Sequence, residues 1–243
     1  MIDVAVSPEH RTFASPQALA HEIADWLCAL ALANDREFAI CLSGGSTPRQ
    51  LYERLAEPAV ASRFPWRRVH WFWGDERFVP HDSPDSNYRM ANEAFLVHCP
   101  VPRDHIHAIQ TENLSPPEAA AGYETTLKHF YGAAQLDSRR PLFDVTLLGI
   151  GEDGHTASLF PGHPALEEGQ RWALAILGRP PQPRITLTYP ALNSSRDVAF
   201  LVTGAGKKTI LARAQAGDPV VPAAGVRPVG RLHWFVDRAA APG

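Results

Sequence analysis

The sequence predicts an α/β fold built on a mainly parallel sheet, and three observations carry that expectation. Short apolar runs at 37–42, 69–74, 143–148 and 197–203 read as strands buried on both faces. Segments with helical spacing of apolar residues lie between them, so strand and helix alternate along the whole chain. At 243 residues, with 45% apolar and 20% charged residues, the chain can bury a substantial core. We read residues 1–243 as one domain.

Ile2 to Val6 is expected as an edge strand. Ser15 and Pro16 then supply an N-cap and a proline at the first helical position. Leu19, Ile23, Trp26, Leu27 and Leu30 recur at helical spacing, which predicts a helix over about 16–33. The strand at 37–42 runs into Ser43, Gly44, Gly45, Ser46, Thr47 and Pro48, followed by a helical pattern through Leu51, Tyr52 and Leu55. Small residues let consecutive N–H groups face one concavity, and three hydroxyls add donors. A helix start capped by Thr47, with Pro48 after it, adds positive potential. That combination holds a phosphate with few charges; the plainer alternative is a strand-to-helix turn with a good cap. Arg49 reads as solvated.

The aromatic strand at 69–74 is expected to exit into a loop carrying Asp75, Glu76 and Arg77. An acid there can orient a histidine and a guanidinium can bind an oxyanion, or the three can simply cap the loop as ion pairs. The polar stretch from Phe78 to Tyr88 is long enough to line a site, with Asp85 or Ser86 capping a helix over about 87–97. His105 and His107 share one face of an extended segment; without a third ligand spaced to join them they read as surface histidines. Ser115 opens a helix to about 134, with Ala119, Tyr123, Leu127 and Phe130 as its core stripe.

Short strands are expected at 172–177 and 185–188, with Arg184 either at the surface or reaching a phosphate. The strand at 197–203 ends at Gly204, Ala205, Gly206, Lys207 and Lys208 before another helix. Lysine at a helix start opposes the dipole's preference for acids, so Lys207 makes sense with an anion in front of it. A strand at 232–236 is expected to close the sheet.

The chain is organised around 143–161, where a buried strand discharges into Gly149, Gly151 and Gly154 with Glu152, Asp153 and His155 among them. Beyond the carboxyl end of a strand is where open α/β sheets place chemistry. The G-x-G-x-x-G spacing of 149–154 is rejected as a dinucleotide site, because two acids would face a pyrophosphate and Pro161 follows too soon for a long helix. Gly204 to Thr209 resembles the end of a P-loop, but the first glycine would fall on Leu201. A net charge of −3 argues against general nucleic-acid binding. Cys28, Cys41 and Cys99 are unpaired in spacing and fit free thiols. No signal peptide and no membrane-length apolar run is visible, so a cytoplasmic location is expected. Oligomeric state is not legible.

With those residues in view, the chain resembles the 6-phosphogluconolactonase family, within the glucosamine-6-phosphate isomerase/lactonase group. The matching pieces are Leu42 to Pro48, Trp73 to Arg77, Asp85 to Arg89, Leu148 to Pro161, Arg184 to Thr188 and Gly204 to Lys207, in family order. The resemblance implies a modified Rossmann-like three-layer αβα sandwich. It implies hydrolysis of 6-phospho-D-glucono-1,5-lactone, a small sugar-phosphate lactone, with no cofactor and no metal. His155 would activate water, held in its tautomer by Asp75 or Asp153. Arg77 would bind the oxyanion or substrate hydroxyls. Ser43, Gly44, Gly45, Ser46, Thr47, Lys207 and Arg184 would anchor the phosphate. The glucosamine-6-phosphate deaminases share much of this pattern but carry Asn-Glu-Pro after the histidine, where this chain has Ser158 to Pro161 and no acid. A catalytically silent sugar-phosphate sensor is the alternative from another class; it would keep the phosphate loop and lose the acid/base residues.

Overall fold

Strands covered on both faces tolerate no exposed position, and Phe38–Leu42 and Phe143–Leu148 are buried throughout in the computed structural model. The structure describes residues 7–33, 35–178 and 181–242. Its strands are β1 (Glu9–Phe13), β2 (Phe38–Leu42), β3 (Val69–Trp73), β4 (Asp75–Arg77), β5 (Phe143–Leu148), β6 (Ala173–Ile176), β7 (Arg184–Leu187), β8 (Ser195–Val202) and β9 (Arg231–Asp237). Its helices are α1 (Pro16–Leu32), α2 (Ser46–Ala56), α3 (Pro58–Ala61), α4 (Asn87–Ala91), α5 (Pro116–Tyr131), α6 (Tyr189–Asn193) and α7 (Lys208–Gln215).

Six strands form one parallel sheet in the order β1-β9-β8-β5-β2-β3. From β2 the chain moves outward to β3, and from β5 it moves the other way to β8 and β9. The switch point therefore lies between β2 and β5, where two loops diverge and leave a crevice. Alternating residues of β3 show helical layers on both faces. Trp71 packs on Phe95 at 4.8 Å, and Phe72 packs on Phe130 of α5 at 4.9 Å. At the other side of the sheet, Trp26 of α1 meets Phe235 at 5.3 Å, while Trp234 stacks on Phe200 at 4.3 Å.

Several boundaries differ from the sequence reading. The expected strand at 2–6 lies outside the described residues; the sheet's edge is β1, which pairs with β9, so β9 does not close the sheet. Asp75, Glu76 and Arg77 form a strand, not a loop. β4 pairs antiparallel with β7, and β7 with β6, as a separate three-stranded sheet. Helix α2 begins at Ser46 with Gly45 as N-cap, so Thr47 is inside the first turn; its hydroxyl is 2.7 Å from that of Thr203. The helix expected over 87–97 is α4 followed by a π-helical turn, Asn92–Leu96. Helix α5 stops at Tyr131, where Gly132 turns left-handed at φ 73°.

Two phenols hold the strand ends that face the crevice. Tyr52 of α2 accepts from the Ser43 N–H at 3.0 Å and donates to the Ser43 carbonyl at 2.8 Å. Tyr123 of α5 does the same for Trp73, at 2.8 Å in each direction. Each hydroxyl takes the place of a ladder partner, satisfying buried backbone groups where sheet pairing stops.

The opposite edge is polar. Asp197 is bonded by Arg231 through two contacts, 2.8 and 3.0 Å, and by His233 at 2.6 Å. Glu9 reaches the other nitrogen of His233 at 3.0 Å, so β1, β8 and β9 are tied at one end. Asp144 accepts from the Ala39 N–H and pairs with Arg36 and Arg196. Among the described residues, no helix is long and apolar enough to cross a membrane.

Candidate active site

A cavity of about 250 Å³ opens at the switch point, bounded by the turns after β2 and β5, the small sheet and the start of α7. Eight of the residues given a catalytic or binding role from sequence line it: Ser43, Gly44, Gly45, Asp75, Arg77, His155, Arg184 and Lys207. Ser46 and Thr47 lie just behind, in the first turn of α2, and Asp153 stands behind His155.

The turn after β5 aims the imidazole. Gly151 N–H donates to the His155 carbonyl at 2.8 Å, and the Thr156 hydroxyl donates to the Gly149 carbonyl at 2.9 Å. Asp153 Oδ1 lies 2.6 Å from His155 Nδ1 and also accepts the His155 backbone N–H at 3.1 Å. A carboxylate only accepts, so in the neutral imidazole Nδ1 carries the proton and Nε2 keeps its lone pair. Burial raises the Asp153 carboxyl, but the bonds from the His155 N–H and ring outweigh it and hold the group below its ordinary value. Gly151 is required by space: a Cβ there would lie 2.1 Å from His155 Nδ1 and 2.7 Å from Asp153 Oδ1. Ala157, which lines the cavity, sits in the left-handed region at φ 47°.

Of the two acids left open as partner for His155, Asp153 therefore makes the contact and Asp75 does not. Asp75 Oδ2 accepts instead from the Ser158 hydroxyl at 2.6 Å. Glu76 is also spoken for. Its carboxylate accepts the N–H groups of Arg77 at 2.8 Å and of Asn87 and Tyr88 at 2.7 Å each, with the Ser86 hydroxyl at 3.1 Å. Burial pushes its carboxyl above the ordinary value while those backbone donors pull it back. Glu76 thus pins the start of α4 to β4. That contact delivers Asn87, a cavity residue the sequence reading gave no role, although it lies within the matched stretch 85–89. Asn87 donates to the Asp75 carbonyl at 2.9 Å, and a Cβ on Gly44 would meet its Oδ1 at 2.0 Å.

Among the described residues, the cations of the cavity form no ion pair with an acid. Arg77 and Arg184 are register partners across β4 and β7, so their side chains leave the small sheet side by side. Arg77 donates to the Asp85 carbonyl at 2.8 Å, and the Nε of each arginine is buried with no hydrogen-bond partner. Burial lowers the Arg184 guanidinium, Asp75 raises it, and the neighbouring Arg77 charge lowers it further. The side chain of Lys207, preceding α7, forms no hydrogen bond or ion pair among the described residues. Helix α2 points its N-terminus to the same place with no acid in its first turn and no side-chain cap. Two adjacent guanidinium groups, an ammonium and an uncapped helix start make a site for a multiply charged anion.

Residues 14–234 match the family model described as glucosamine-6-phosphate isomerases/6-phosphogluconolactonase. The chain is 43% identical to a 6-phosphogluconolactonase from Nostoc sp., over 86% of each protein. A crystal structure of 6-phosphogluconolactonase from Thermotoga maritima superposes with a TM-score of 0.80 at 30% identity, covering 95% of this chain and 100% of that one. A monomeric glucosamine-6-phosphate deaminase has the same TM-score, 0.80, at 17% identity, covering 96% and 98%; that likeness extends to the fold alone. The chain belongs to the glucosamine-6-phosphate isomerase/6-phosphogluconolactonase family.

Proposed function

We propose that the chain hydrolyses 6-phospho-D-glucono-1,5-lactone to 6-phosphogluconate, the lactone-opening step of the oxidative pentose phosphate pathway. The observation that carries this reading is the coexistence, in one cavity, of a carboxylate-held imidazole and three cations that form no ion pair among the described residues. A δ-lactone carbonyl is already electrophilic, so the reaction needs an activated water and donors for the developing oxyanion. His155 Nε2 takes the proton of a water as its oxygen bonds to the lactone carbonyl carbon. Asp153 stabilises the imidazolium that forms. The tetrahedral intermediate then collapses, the bond to the ring oxygen breaks, and the imidazolium returns the proton to that oxygen as a hydroxyl.

The 6-phosphate takes the place where positive charge is unbalanced, between Arg77 and Arg184 and beside Lys207. Two like charges side by side are stabilised when a dianion lies against both. The turn after β2 borders the same space, and the N–H groups of Gly44, Gly45 and Ser46 supply the remaining donors. Anchoring the distant phosphate fixes the carbonyl against His155, which is the entropic part of the acceleration. The deaminase reaction needs further acid–base groups near the sugar, and the segment after His155 brings none. Its one serine in that stretch, Ser158, is committed to Asp75.

A coupled assay on freshly generated 6-phosphogluconolactone, corrected for spontaneous hydrolysis, tests the reading. Accelerated formation of 6-phosphogluconate is expected. Release of ammonia and fructose 6-phosphate from glucosamine 6-phosphate would replace it with the deaminase, and tight sugar-phosphate binding without turnover would replace it with a sensor.

A further inference from the structure

A second cluster of ligating side chains lies at the other end of β3, away from the cavity. Among the described residues, Glu37, His70 and His105 each offer one ligand atom, all within 4.8 Å of one another. Three separate stretches bring them there: Glu37 directly precedes β2, His70 is the second residue of β3, and His105 lies in the segment that runs beside β3. That segment is fixed in register by the Trp71–Ile106 bridge and by the His107 N–H donating to the Trp71 carbonyl at 2.9 Å. From His70 to Asp75 the strand advances about 16 Å at its usual rise, which separates the cluster from the cavity.

We propose that Glu37, His70 and His105 bind a borderline divalent cation of the zinc type. Two imidazoles and a carboxylate are a donor set that suits such ions, with a water as fourth ligand. Three features of the cluster point to a ligand. His70 Nε2 is hydrogen-bonded to Glu37 Oε2 at 2.9 Å, so the imidazole and the carboxylate already share a proton that an ion would displace. His70 Nδ1 is 2.9 Å from His107 Nε2, and His107 is stacked on Phe72 at 4.3 Å. With a metal on Nε2, the Nδ1 proton is donated to His107, the outer contact that fixes a ligating imidazole's tautomer and orientation. His105 stacks on His70 at 3.9 Å, and its Nδ1 is a buried polar atom with no hydrogen-bond partner. One ligand atom from each of the three residues lies within 4.8 Å of the others, close enough for a single ion to reach all three. Glu37 is exposed and provides the route in. The ion would clip the entry of β2, edge strand β3 and the 103–107 segment together, and it takes no part in the lactone chemistry.

The test is a Co²⁺ titration of the full chain followed by the visible bands of tetrahedral Co²⁺, repeated as competition with Zn²⁺ and compared across four variants. One equivalent of tightly held ion is expected in the wild type and in His155→Ala. His105→Ala and Glu37→Gln should bind at least about tenfold more weakly, and His107→Phe about 10- to 100-fold more weakly through loss of the outer contact. Zn²⁺ should raise the thermal midpoint of the wild type and leave that of His105→Ala where it was, while His105→Ala keeps wild-type lactone turnover in the absence of metal. If His105→Ala and Glu37→Gln hold the ion as tightly as the wild type, or if binding disappears only with His155→Ala, the proposal is overturned.

Discussion

His155→Ala removes the proposed base and leaves the cations, so it separates chemistry from binding. Turnover is expected to fall by about 10²- to 10⁴-fold, with KM changed little, in steady-state assays on the lactone. Asp153→Asn should also lower kcat more than it raises KM, because the amide keeps the ring's direction but not the charge that stabilises the imidazolium. The complementary substitutions act on the anchor. With Lys207 and Arg184 in the proposed phosphate-binding role, Lys207→Ala or Arg184→Ala should lose a charge-assisted bond of about 1.5–3 kcal/mol, or roughly ten- to a hundredfold in kcat/KM, read mainly in KM. A variant that lowers kcat at constant KM would move that side chain from the phosphate to the oxyanion. The same residues show where sequence reading stops. Gly151 is visible as a glycine, but only the fold reveals that His155 Nδ1 occupies the space a Cβ would need.

At the scale of elements, the cavity depends on where strands end and what holds their ends. The Tyr52 hydroxyl serves both the N–H and the carbonyl of Ser43 and is fully buried, and burial pushes its phenol far above the ordinary value, so it stays protonated. Tyr52→Phe leaves those two backbone groups without a partner. The expected cost is about 1–3 kcal/mol, read as a lower denaturation midpoint, with a raised KM because the Ser43 to Ser46 turn loosens. Unchanged stability and KM would mean that water replaces the phenol at no cost. The small sheet is the element the sequence hid. β4 is three residues long, charged at every position, and follows β3 after a single glycine, so nothing in its pattern announces a strand. Its pairing with β7 is what sets Arg77 opposite Arg184.

For the molecule as a whole, acid sensitivity is expected to come from the polar edge of the sheet. Burial raises the Asp197 carboxyl, but His233 and Arg231 more than compensate and hold it below its ordinary 3.8. A folded-state value below the unfolded one means that the group contributes stability above the unfolded value and loses it as pH falls through the folded one. Stability of the wild type should therefore fall as pH drops below about 4. Asp197→Asn should start lower at neutral pH and fall less steeply over the same range in urea melts. Equal slopes in the two proteins would assign the acid sensitivity to other carboxylates.

The alternation of buried runs and helical spacings already determined the α/β class, the parallel sheet and most element positions, because burial on both faces leaves a local, periodic record in the residues. The glycine- and hydroxyl-rich turn after β2 and the Gly149 to His155 turn were legible for the same reason: tight turns and polar groups at strand ends are local signals. What required the tertiary structure was every choice between distant partners. Asp153, not Asp75, meets His155; Glu76 pins α4 and delivers Asn87; β1 and not β9 forms the sheet's edge; His70 joins His105 and His107. A hydrogen bond or a register pair between residues far apart in sequence leaves no periodicity to read, and only the packed chain decides which of several chemically equal candidates comes within 3 Å.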